Sequence, residues 1–148
     1  MRIVIGCGRE IVKLIKIWTN GCFDILHRGH IELFKYAKSL GNELIVGVDS
    51  DRKVARDKGH NRPINNLEDR MEMLRAIRYI DSIVHFDSSD ELECLIKNYN
   101  PDVLVVGSDW KGKRVVGEKY AKEVRFFNRI GEYSTTKIAN DTKIIFTV

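Results

Sequence analysis

The stretch TNGCFDILHRGH, residues 19–30, determines the fold more than any other part of the sequence. It begins at the end of an apolar segment, Lys16–Asn20, that is predicted to be a buried strand, and the chain turns at Gly21. Apolar residues at helical spacing then predict a helix over His30–Leu40, with Gly41 just past its end. A strand, a tight glycine turn and a helix in this order are typical of an α/β fold, in which ligands bind at the carboxyl ends of the strands.

The rest of the chain repeats this alternation of strands and helices. The pattern predicts further strands over Glu43–Asp49, Ser82–Phe86, Val103–Gly107 and Glu123–Asn128, and helices over Leu67–Tyr79, Asp90–Tyr99 and Ser134–Asn140. Ser50–Asn66 is interpreted as a long polar loop, and Lys111–Lys122 as a loop or an irregular helix. The order predicts an α/β, doubly wound, Rossmann-like parallel five-stranded sheet with helices on both faces.

The two ends of the chain are expected to lie outside this core. One domain is expected over residues 1–148, with the core at about 16–140. Met1–Gly8 and Lys143–Val148 are apolar enough to be strands that pair at a sheet edge or bind a second subunit. Gly6-Cys7-Gly8 lacks the third glycine of a dinucleotide-binding fingerprint and is interpreted as a turn.

Composition excludes several classes of protein. The chain has 148 residues, a formal charge of +4 and 43% apolar residues, which is typical of a globular domain. No run of 18 apolar residues is present, and charged residues interrupt the N-terminal segment, so neither a membrane span nor a signal peptide is predicted. Three cysteines without a CxxC motif indicate reduced thiols and a cytoplasmic location. Basic residues alternate with acidic ones, so no nucleic-acid partner is expected.

The two histidines of the first stretch are the main candidates for chemistry. His27 and His30 flank Gly29 at a predicted helix N-terminus, whose free N–H groups and positive dipole suit a phosphate. Two imidazoles there can donate hydrogen bonds to a polyphosphate and stabilise its developing charge. A capped or surface histidine is the ordinary alternative, and half a zinc site is another. No further ligands stand at matching spacing, so no metal ligands are predicted among the protein side chains.

Three other features of the sequence could contribute residues to a phosphate-binding site. Ser134-Thr135-Thr136 opens the last predicted helix, where hydroxyls either cap the helix or hold a phosphate, and Arg129 precedes it. The loop with Lys53, Arg56, Lys58 and Arg62 is either a solvated face or a mobile cationic lid. Asp109 and Trp110 follow the fourth strand, and the Asp109 carboxylate could contact a ribose, a nucleophile or a magnesium ion.

These motifs together resemble the cytidylyltransferase-like nucleotidyltransferases over roughly residues 17–138. His27-Arg28-Gly29-His30 is similar to the HxGH phosphate motif of that family, and Ser134-Thr135-Thr136 to the end of its second signature. The resemblance implies transfer of a nucleotidyl group from an NTP to a small phosphorylated sugar or polyol. Pyrophosphate leaves, no covalent enzyme intermediate forms, and Mg²⁺ accompanies the NTP. It also implies a homodimer.

Within the family, two activities compete. TNGCFDILH, Arg62–Asn65, Leu67–Met71 and Pro101–Val105 resemble the heptose 1-phosphate adenylyltransferases, which use ATP to make ADP-heptose. Val106 departs from this pattern, because the adenylyltransferases usually have lysine at that position. Arg129 and the segment Asp109–Lys113 resemble the glycerol-3-phosphate cytidylyltransferases instead. FAD-forming and phosphoethanolamine-type relatives, a non-catalytic nucleotide-binding module and a nucleic-acid-binding domain are the remaining alternatives.

The resemblance assigns roles to individual residues. The catalytic residues it implies are His27, His30, Lys58 and Arg129. The nucleotide-binding residues are Asn20, Gly21, Cys22, Phe23, Gly29, His30, Gly107, Asp109, Ser134, Thr135 and Thr136. The residues expected to contact the substrate are Asp24, Arg70, Asp109 and Trp110.

Overall fold

The computed structural model describes residues 2–5 and 9–145 of the chain. The strands are β1 (Arg2–Ile5), β2 (Arg9–Val12), β3 (Lys16–Gly21), β4 (Glu43–Asp49), β5 (Ser82–Phe86), β6 (Val103–Gly107) and β7 (Glu123–Phe127). The helices are α1 (Arg28–Ser39), α2 (Asp51–Lys58), α3 (Leu67–Arg75), α4 (Ser89–Tyr99) and α5 (Thr135–Ile145). Short 3-10 helices span Ser108–Trp110 and Glu118–Tyr120.

Five strands form one parallel sheet in the order β5-β4-β3-β6-β7, which confirms the predicted fold class. The chain winds away from β3 in both directions, so β3 lies at the topological switch point, where α/β folds bind ligands. β3 pairs with β4 from Lys16 to Gly21 but with β6 only at Ile17 and Trp18. A crevice therefore opens between β3 and β6 at the carboxyl end of the sheet.

Alternating side chains of the central strands build a core on each face of the sheet. On one face, Ile17 of β3 and Val46 of β4 pack with Phe34 and Ala37 of α1 and with Leu74 of α3. On the other face, Trp18 and Ile45 pack with Leu92 and Ile96 of α4 and with Val115. Strands buried on both faces have nearly continuous apolar sequences, which is why these segments were recognisable in the sequence.

Helix α2 corrects the prediction that Ser50–Asn66 is a loop. Ser50 caps this helix by accepting a hydrogen bond from the Lys53 N–H, at 3.1 Å. Asp87, just after β5, binds the Ser50 hydroxyl and the Arg52 guanidinium, and its carbonyl accepts from Arg56. Val54 is the buried residue of this short helix, so no apolar period marks it in the sequence. Ion pairs and a serine cap, instead of an apolar stripe, stabilise it.

Other boundaries differ from the predictions in smaller ways. Helix α3 ends at Arg75 instead of Tyr79, because the chain turns at Ala76, and α5 continues past Asn140 to Ile145. Within Lys111–Lys122, interpreted as a loop or an irregular helix, Glu118–Tyr120 form a 3-10 helix, and the other residues lie in turns and loop.

The terminal predictions were partly right. The strand expected within Met1–Gly8 is present as β1, but it pairs antiparallel with β2 in a separate two-stranded sheet. The strand predicted over Lys143–Val148 is wrong for residues 143–145, which continue helix α5. Residues 1, 6–8 and 146–148 lie outside the described part of the chain, and so does the turn predicted at Gly6-Cys7-Gly8.

Arg70 of α3 ties three segments together beneath the carboxyl end of β3. Its side chain is fully buried, and its guanidinium donates to the Cys22 carbonyl at 2.7 Å and to the Asn65 carbonyl at 3.0 Å. A third bond, 2.7 Å long, joins it to the Asp51 carboxylate at the start of α2. Each partner belongs to a different segment around the crevice, so one side chain sets their relative positions.

Arg70→Met should therefore lower the free energy of unfolding by about 3 kcal/mol. The substitution leaves the carbonyls of Cys22 and Asn65 without their donor, and an unsatisfied buried group costs about 1–3 kcal/mol. Arg75→Met on the same helix is the matched control, because Arg75 is exposed and, among the described residues, pairs only with Glu72. It should cost no more than about 0.5 kcal/mol. Urea denaturation measures both, and equal losses would contradict the role given to Arg70.

Candidate functional site

The turn after β3 is held by a buried carboxylate. The Asp24 side chain is fully buried and accepts hydrogen bonds from the backbone N–H groups of Ile64 and Asn65, both at 2.8 Å, and from Arg62 Nε at 3.1 Å. Phe23 before it adopts a left-handed backbone conformation with φ of 49°. Both Asp24 and Arg70 thus make their bonds within the protein, and direct contact of either with a substrate stays a prediction.

The two histidines meet at the N-terminus of α1. His27 is the N-cap residue, and its ring stacks on the ring of His30 with centroids 3.8 Å apart. The Nδ1 of His30 accepts a hydrogen bond from the His27 backbone N–H at 3.3 Å. In the neutral imidazole the proton then resides on Nε2, which becomes a hydrogen-bond donor.

Both imidazoles are held neutral. Burial lowers the pKa of His30 to about 4, and the nearby positive charges of His27, Lys58 and Arg129 add to the effect. Burial lowers the pKa of His27 as well, with a further contribution from Arg129. At neutral pH the pair therefore offers neutral N–H donors to a phosphate, while Lys58 and Arg129 supply the positive charge.

Aromatic rings form a column from the core to the surface through both histidines. Phe34 contacts Phe23 with centroids 5.1 Å apart, and Phe23 meets His30 edge-on at 5.4 Å. Beyond the stacked histidines, Tyr133 lies parallel to His27 at 6.0 Å. A Cβ at Gly29 would lie 2.9 Å from Cε1 of His27, so only glycine allows the ring to lie there. Packing thus fixes the ring planes.

Helix α5 lies against the histidine turn. Ser134 is its N-cap residue, with its Oγ 3.4 Å from the Lys137 N–H, as the hydroxyl pattern predicted. The Thr135 hydroxyl donates to the Ile25 carbonyl at 3.1 Å, which joins the start of α5 to the turn after β3. Thr136 is exposed. The N-termini of α1 and α5 therefore converge on the same region, and both favour anions.

Lys58 is the cation of α2 that remains available for a ligand. Of the four basic residues expected in a mobile lid, Lys53 binds Asp49 and Asp57, Arg56 binds the Asp87 carbonyl, and Arg62 binds Asp24. Within the described part of the chain, Lys58 makes no such bond, and its charge lowers the pKa of His30. The lid interpretation is thus corrected to one exposed lysine in the last turn of a helix that ion pairs hold in place.

The carboxyl end of β6 forms the other side of the crevice. Asp109 and Trp110 lie on the 3-10 helix after β6 and are exposed, and the Asp109 carboxylate is 3.9 Å from Arg129. A Cβ at Gly107 would lie 2.5 Å from Asp109 Oδ1, so a side chain there would displace the carboxylate. The structure thereby brings Asp109 and Arg129 together, although 20 or so positions separate them in the sequence.

The remaining predicted nucleotide-binding residues lie where β3 ends. The Asn20 side-chain carbonyl accepts from Trp18 Nε1 at 3.1 Å. A Cβ at Gly21 would lie 3.2 Å from Cζ of Phe23, so the bare backbone faces that ring. Cys22 is buried, and burial raises the pKa of its thiol. Each of these side chains therefore contacts the protein, and what they offer a ligand is mainly backbone.

The structure adds residues that the sequence did not single out for the site. Tyr133 stacks on His27, and Asn65 donates from its backbone and side-chain N–H groups to Asp24. A tyrosine in a loop carries no periodic signal, and contacts between distant segments are visible only after folding.

Among the residues whose side chains are described, no group of three or more His, Cys, Asp or Glu is placed to hold a metal ion. No helix there is long and apolar enough to cross a membrane.

Comparison with known proteins defines the class. The family model described as cytidylyltransferase-like matches residues 18–143, so the chain belongs to the cytidylyltransferase-like family, as its motifs indicated. It therefore contains a nucleotidyltransferase-like domain with the Rossmann-like fold of that family.

Two relatives share about half of their aligned residues with this chain. The chain is 47% identical over 127 residues to the bifunctional protein HldE of Campylobacter fetus subsp. fetus, covering 86% of this chain and 28% of the relative. It is 50% identical over 122 residues to the bifunctional protein HldE of Nitratiruptor sp., covering 82% of this chain and 26% of the relative. This chain thus spans about a quarter of the length of these relatives.

Two solved structures share the fold. The lipopolysaccharide core biosynthesis protein from Thermoplasma volcanium matches with a TM-score of 0.63 and 28% identity, over 82% of this chain and 99% of that one. Pantothenate synthetase from Thermus thermophilus matches with a TM-score of 0.60 over 85% of this chain and 61% of that one. At 13% identity, the second match concerns the fold alone.

The lowered pKa of His30 predicts a pH dependence of stability. The unfolded chain takes up a proton at His30 below about pH 6.5, whereas the folded chain does so only near pH 4. His30 therefore destabilises the folded state as the pH falls from about 6.5 to about 4, by about 3 kcal/mol in total. His30→Gln should remove this part of the pH dependence, measured by urea denaturation across that range. The exposed His85→Gln is the control, and parallel curves for wild type and His30→Gln would contradict the prediction.

Proposed function

We propose that this chain transfers a nucleoside monophosphate from an NTP to the phosphate of a small sugar or polyol and releases pyrophosphate. The observation that carries the proposal is the convergence of His27, His30, Lys58 and Arg129 on the crevice at the carboxyl end of β3. Two neutral N–H donors, two cations and the N-termini of α1 and α5 make a site for a polyphosphate.

The chemistry needs positioning and charge stabilisation more than an acid–base pair. An oxygen of the acceptor phosphate attacks the α-phosphorus of the NTP, the bond from that phosphorus to the oxygen bridging to the β-phosphate breaks, and pyrophosphate leaves with the electron pair. The attacking oxygen is already anionic, so no base has to remove a proton. Negative charge grows on the leaving pyrophosphate, where Lys58, Arg129, the Nε2–H of His30 and the imidazole N–H of His27 stabilise it.

Mg²⁺ would enter this site with the NTP. The described residues hold no cluster of three metal ligands, so phosphate oxygens would supply most of the coordination. Asp109, whose carboxylate is exposed beside Arg129, is the residue able to add a ligand. The ion would supply further neutralisation of phosphate charge.

The nucleotide and the acceptor would share the crevice between β3 and β6. Asn20, Gly21, Cys22, Phe23, Gly29 and Gly107 would line the nucleotide pocket mainly through their backbone, and Ser134, Thr135 and Thr136 would hold phosphates at the start of α5. Trp110 and Asp109 would contact the ribose or the acceptor. Asp24 and Arg70 would support the pocket through their internal hydrogen bonds, and their direct contact with the substrate stays a prediction.

ATP and D-glycero-D-manno-heptose 1-phosphate are the proposed substrates, with ADP-heptose as the product. The similarity to the bifunctional proteins HldE supports this choice, and so does the similarity to a protein of lipopolysaccharide core biosynthesis. The motif resemblance over Arg62–Asn65 and Leu67–Met71 points in the same direction. We propose that the chain acts in the cytoplasm as a homodimer.

A second candidate is the transfer of a cytidylyl group from CTP to glycerol 3-phosphate. The 3.9 Å pair of Arg129 and Asp109 beside the exposed Trp110 favours it, because these residues resemble the cytidylyltransferase pattern. Val106, at the position where the adenylyltransferases have lysine, favours it too. The two candidates share the reaction and differ in the base and the acceptor.

Pyrophosphate release tests both candidates with the purified chain and Mg²⁺. ATP, CTP, GTP and UTP are each combined with the heptose 1-phosphate and with glycerol 3-phosphate. Release is expected with ATP and the heptose. Release with CTP and glycerol phosphate would establish the second candidate instead. If a folded chain that still binds NTP released no pyrophosphate in any combination, the result would favour a non-catalytic nucleotide-binding module.

His30→Ala should lower kcat at least about a hundredfold, because it removes a hydrogen-bond donor that stabilises the developing charge. The fold should persist, and denaturation of the variant confirms that before turnover is measured. His85→Ala, which removes an exposed imidazole of β5, is the control and should retain wild-type turnover. Turnover of His30→Ala near that of the control would rule out the role proposed for His30.

A further inference from the structure

Each imidazole of the histidine pair has to be held at one orientation to present an N–H donor. Histidines at functional sites are commonly oriented by a hydrogen bond on the ring nitrogen that faces away from the ligand. His30 has such a bond, since its Nδ1 accepts from the backbone N–H of His27. The Nδ1 of His27 is buried and has no hydrogen-bond partner among the described residues. The His27 side chain has the capping-box placement beside the His30 backbone N–H, but its Nδ1 forms no hydrogen bond there, so other contacts must restrict the ring.

Contacts with neighbouring rings restrict the orientation of the His27 imidazole, whose Nδ1 has no hydrogen bond to do so. One face of His27 lies against His30, with an angle of 22° between the ring planes. Tyr133 also stacks on His27, with an angle of 18° between the ring planes. The Cβ of Tyr133 lies 3.4 Å from the position that a Cβ at Gly29 would occupy, which places it close over the turn.

The segment carrying Tyr133 is itself fixed at both sides. Gly131, two residues earlier, has a φ of 62°, and a Cβ there would lie 3.2 Å from the tyrosine ring. Two residues later, the Thr135 hydroxyl binds the Ile25 carbonyl of the histidine turn. The tyrosine ring thus closes the outer end of the aromatic column, whose inner end is the fully buried Phe34.

We propose that Tyr133 is a positioning residue, whose ring holds the His27 imidazole against His30 in the orientation that phosphate binding requires. Its relevance to turnover rests on the function proposed above. The aromatic ring performs this role, and the phenol hydroxyl is not needed for it. Aromatic stacking of this kind carries enough energy to restrict a ring that no hydrogen bond holds.

Histidine titration by NMR tests the proposal without substrate. His60→Gln and His85→Gln are introduced first, so that only the two site imidazoles remain. The charged groups near the pair are Lys58 and Arg129, and they are unchanged in every variant. Tyr133→Ala exposes His27 to water, so the pKa of His27 should rise toward its usual value of about 6.5. Tyr133→Phe keeps the ring and should titrate as the parent does.

Turnover gives the second readout. Tyr133→Ala should lower kcat about tenfold with a smaller effect on the KM for the NTP, and Tyr133→Phe should restore wild-type turnover. Tyr120→Ala, which removes a ring packed on the opposite face of the sheet, is the control for a general loss of stability.

Three results would overturn the proposal: an unchanged His27 titration in Tyr133→Ala, a loss in Tyr133→Phe as large as in Tyr133→Ala, or full turnover in Tyr133→Ala. If the wild type released no pyrophosphate in any combination, the proposed function would fail. The titration would still decide whether Tyr133 positions His27.

Discussion

The site depends on one buried group, the carboxylate of Asp24. It accepts hydrogen bonds from two backbone N–H groups and one guanidinium, all of which come from the segment before α3. A buried carboxylate without these partners would be strongly unfavourable, so the turn after β3 and the segment before α3 hold each other in place. The histidine turn follows directly from that fixed point, and its geometry is set before any ligand arrives.

Arg70 extends the same arrangement to helix α2. Its guanidinium joins the Cys22 carbonyl to Asp51, so the helix that carries Lys58 is fixed relative to the turn that carries the histidines. Rigid placement suits a reaction whose catalysis rests on preorganised charge, because groups already in place need no reorganisation when charge develops. Buried hydrogen bonds therefore support the site, while exposed groups remain available to bind the ligand.

The two imidazoles are oriented by different means. His30 is oriented by a backbone hydrogen bond and by a T-shaped contact with Phe23, whereas His27 is oriented by stacking with His30 and Tyr133. Burial and nearby cations keep both rings neutral, so they act as hydrogen-bond donors while Lys58 and Arg129 provide charge. Because only Lys58 and Arg129 carry a charge, these four side chains repel one another less than four cations would.

The sequence by itself determined the parallel sheet, the family and the histidine motif. Buried strands such as Glu43–Asp49 are apolar throughout, and HRGH is a local pattern whose residues lie on one turn. It did not determine helix α2, because ion pairs to Asp87 and a serine cap stabilise that helix in place of an apolar stripe. Only the tertiary structure decided that Asp24 and Arg70 make internal bonds and that Tyr133 covers His27. Those contacts join segments distant in sequence, and no local spacing encodes which of them meet.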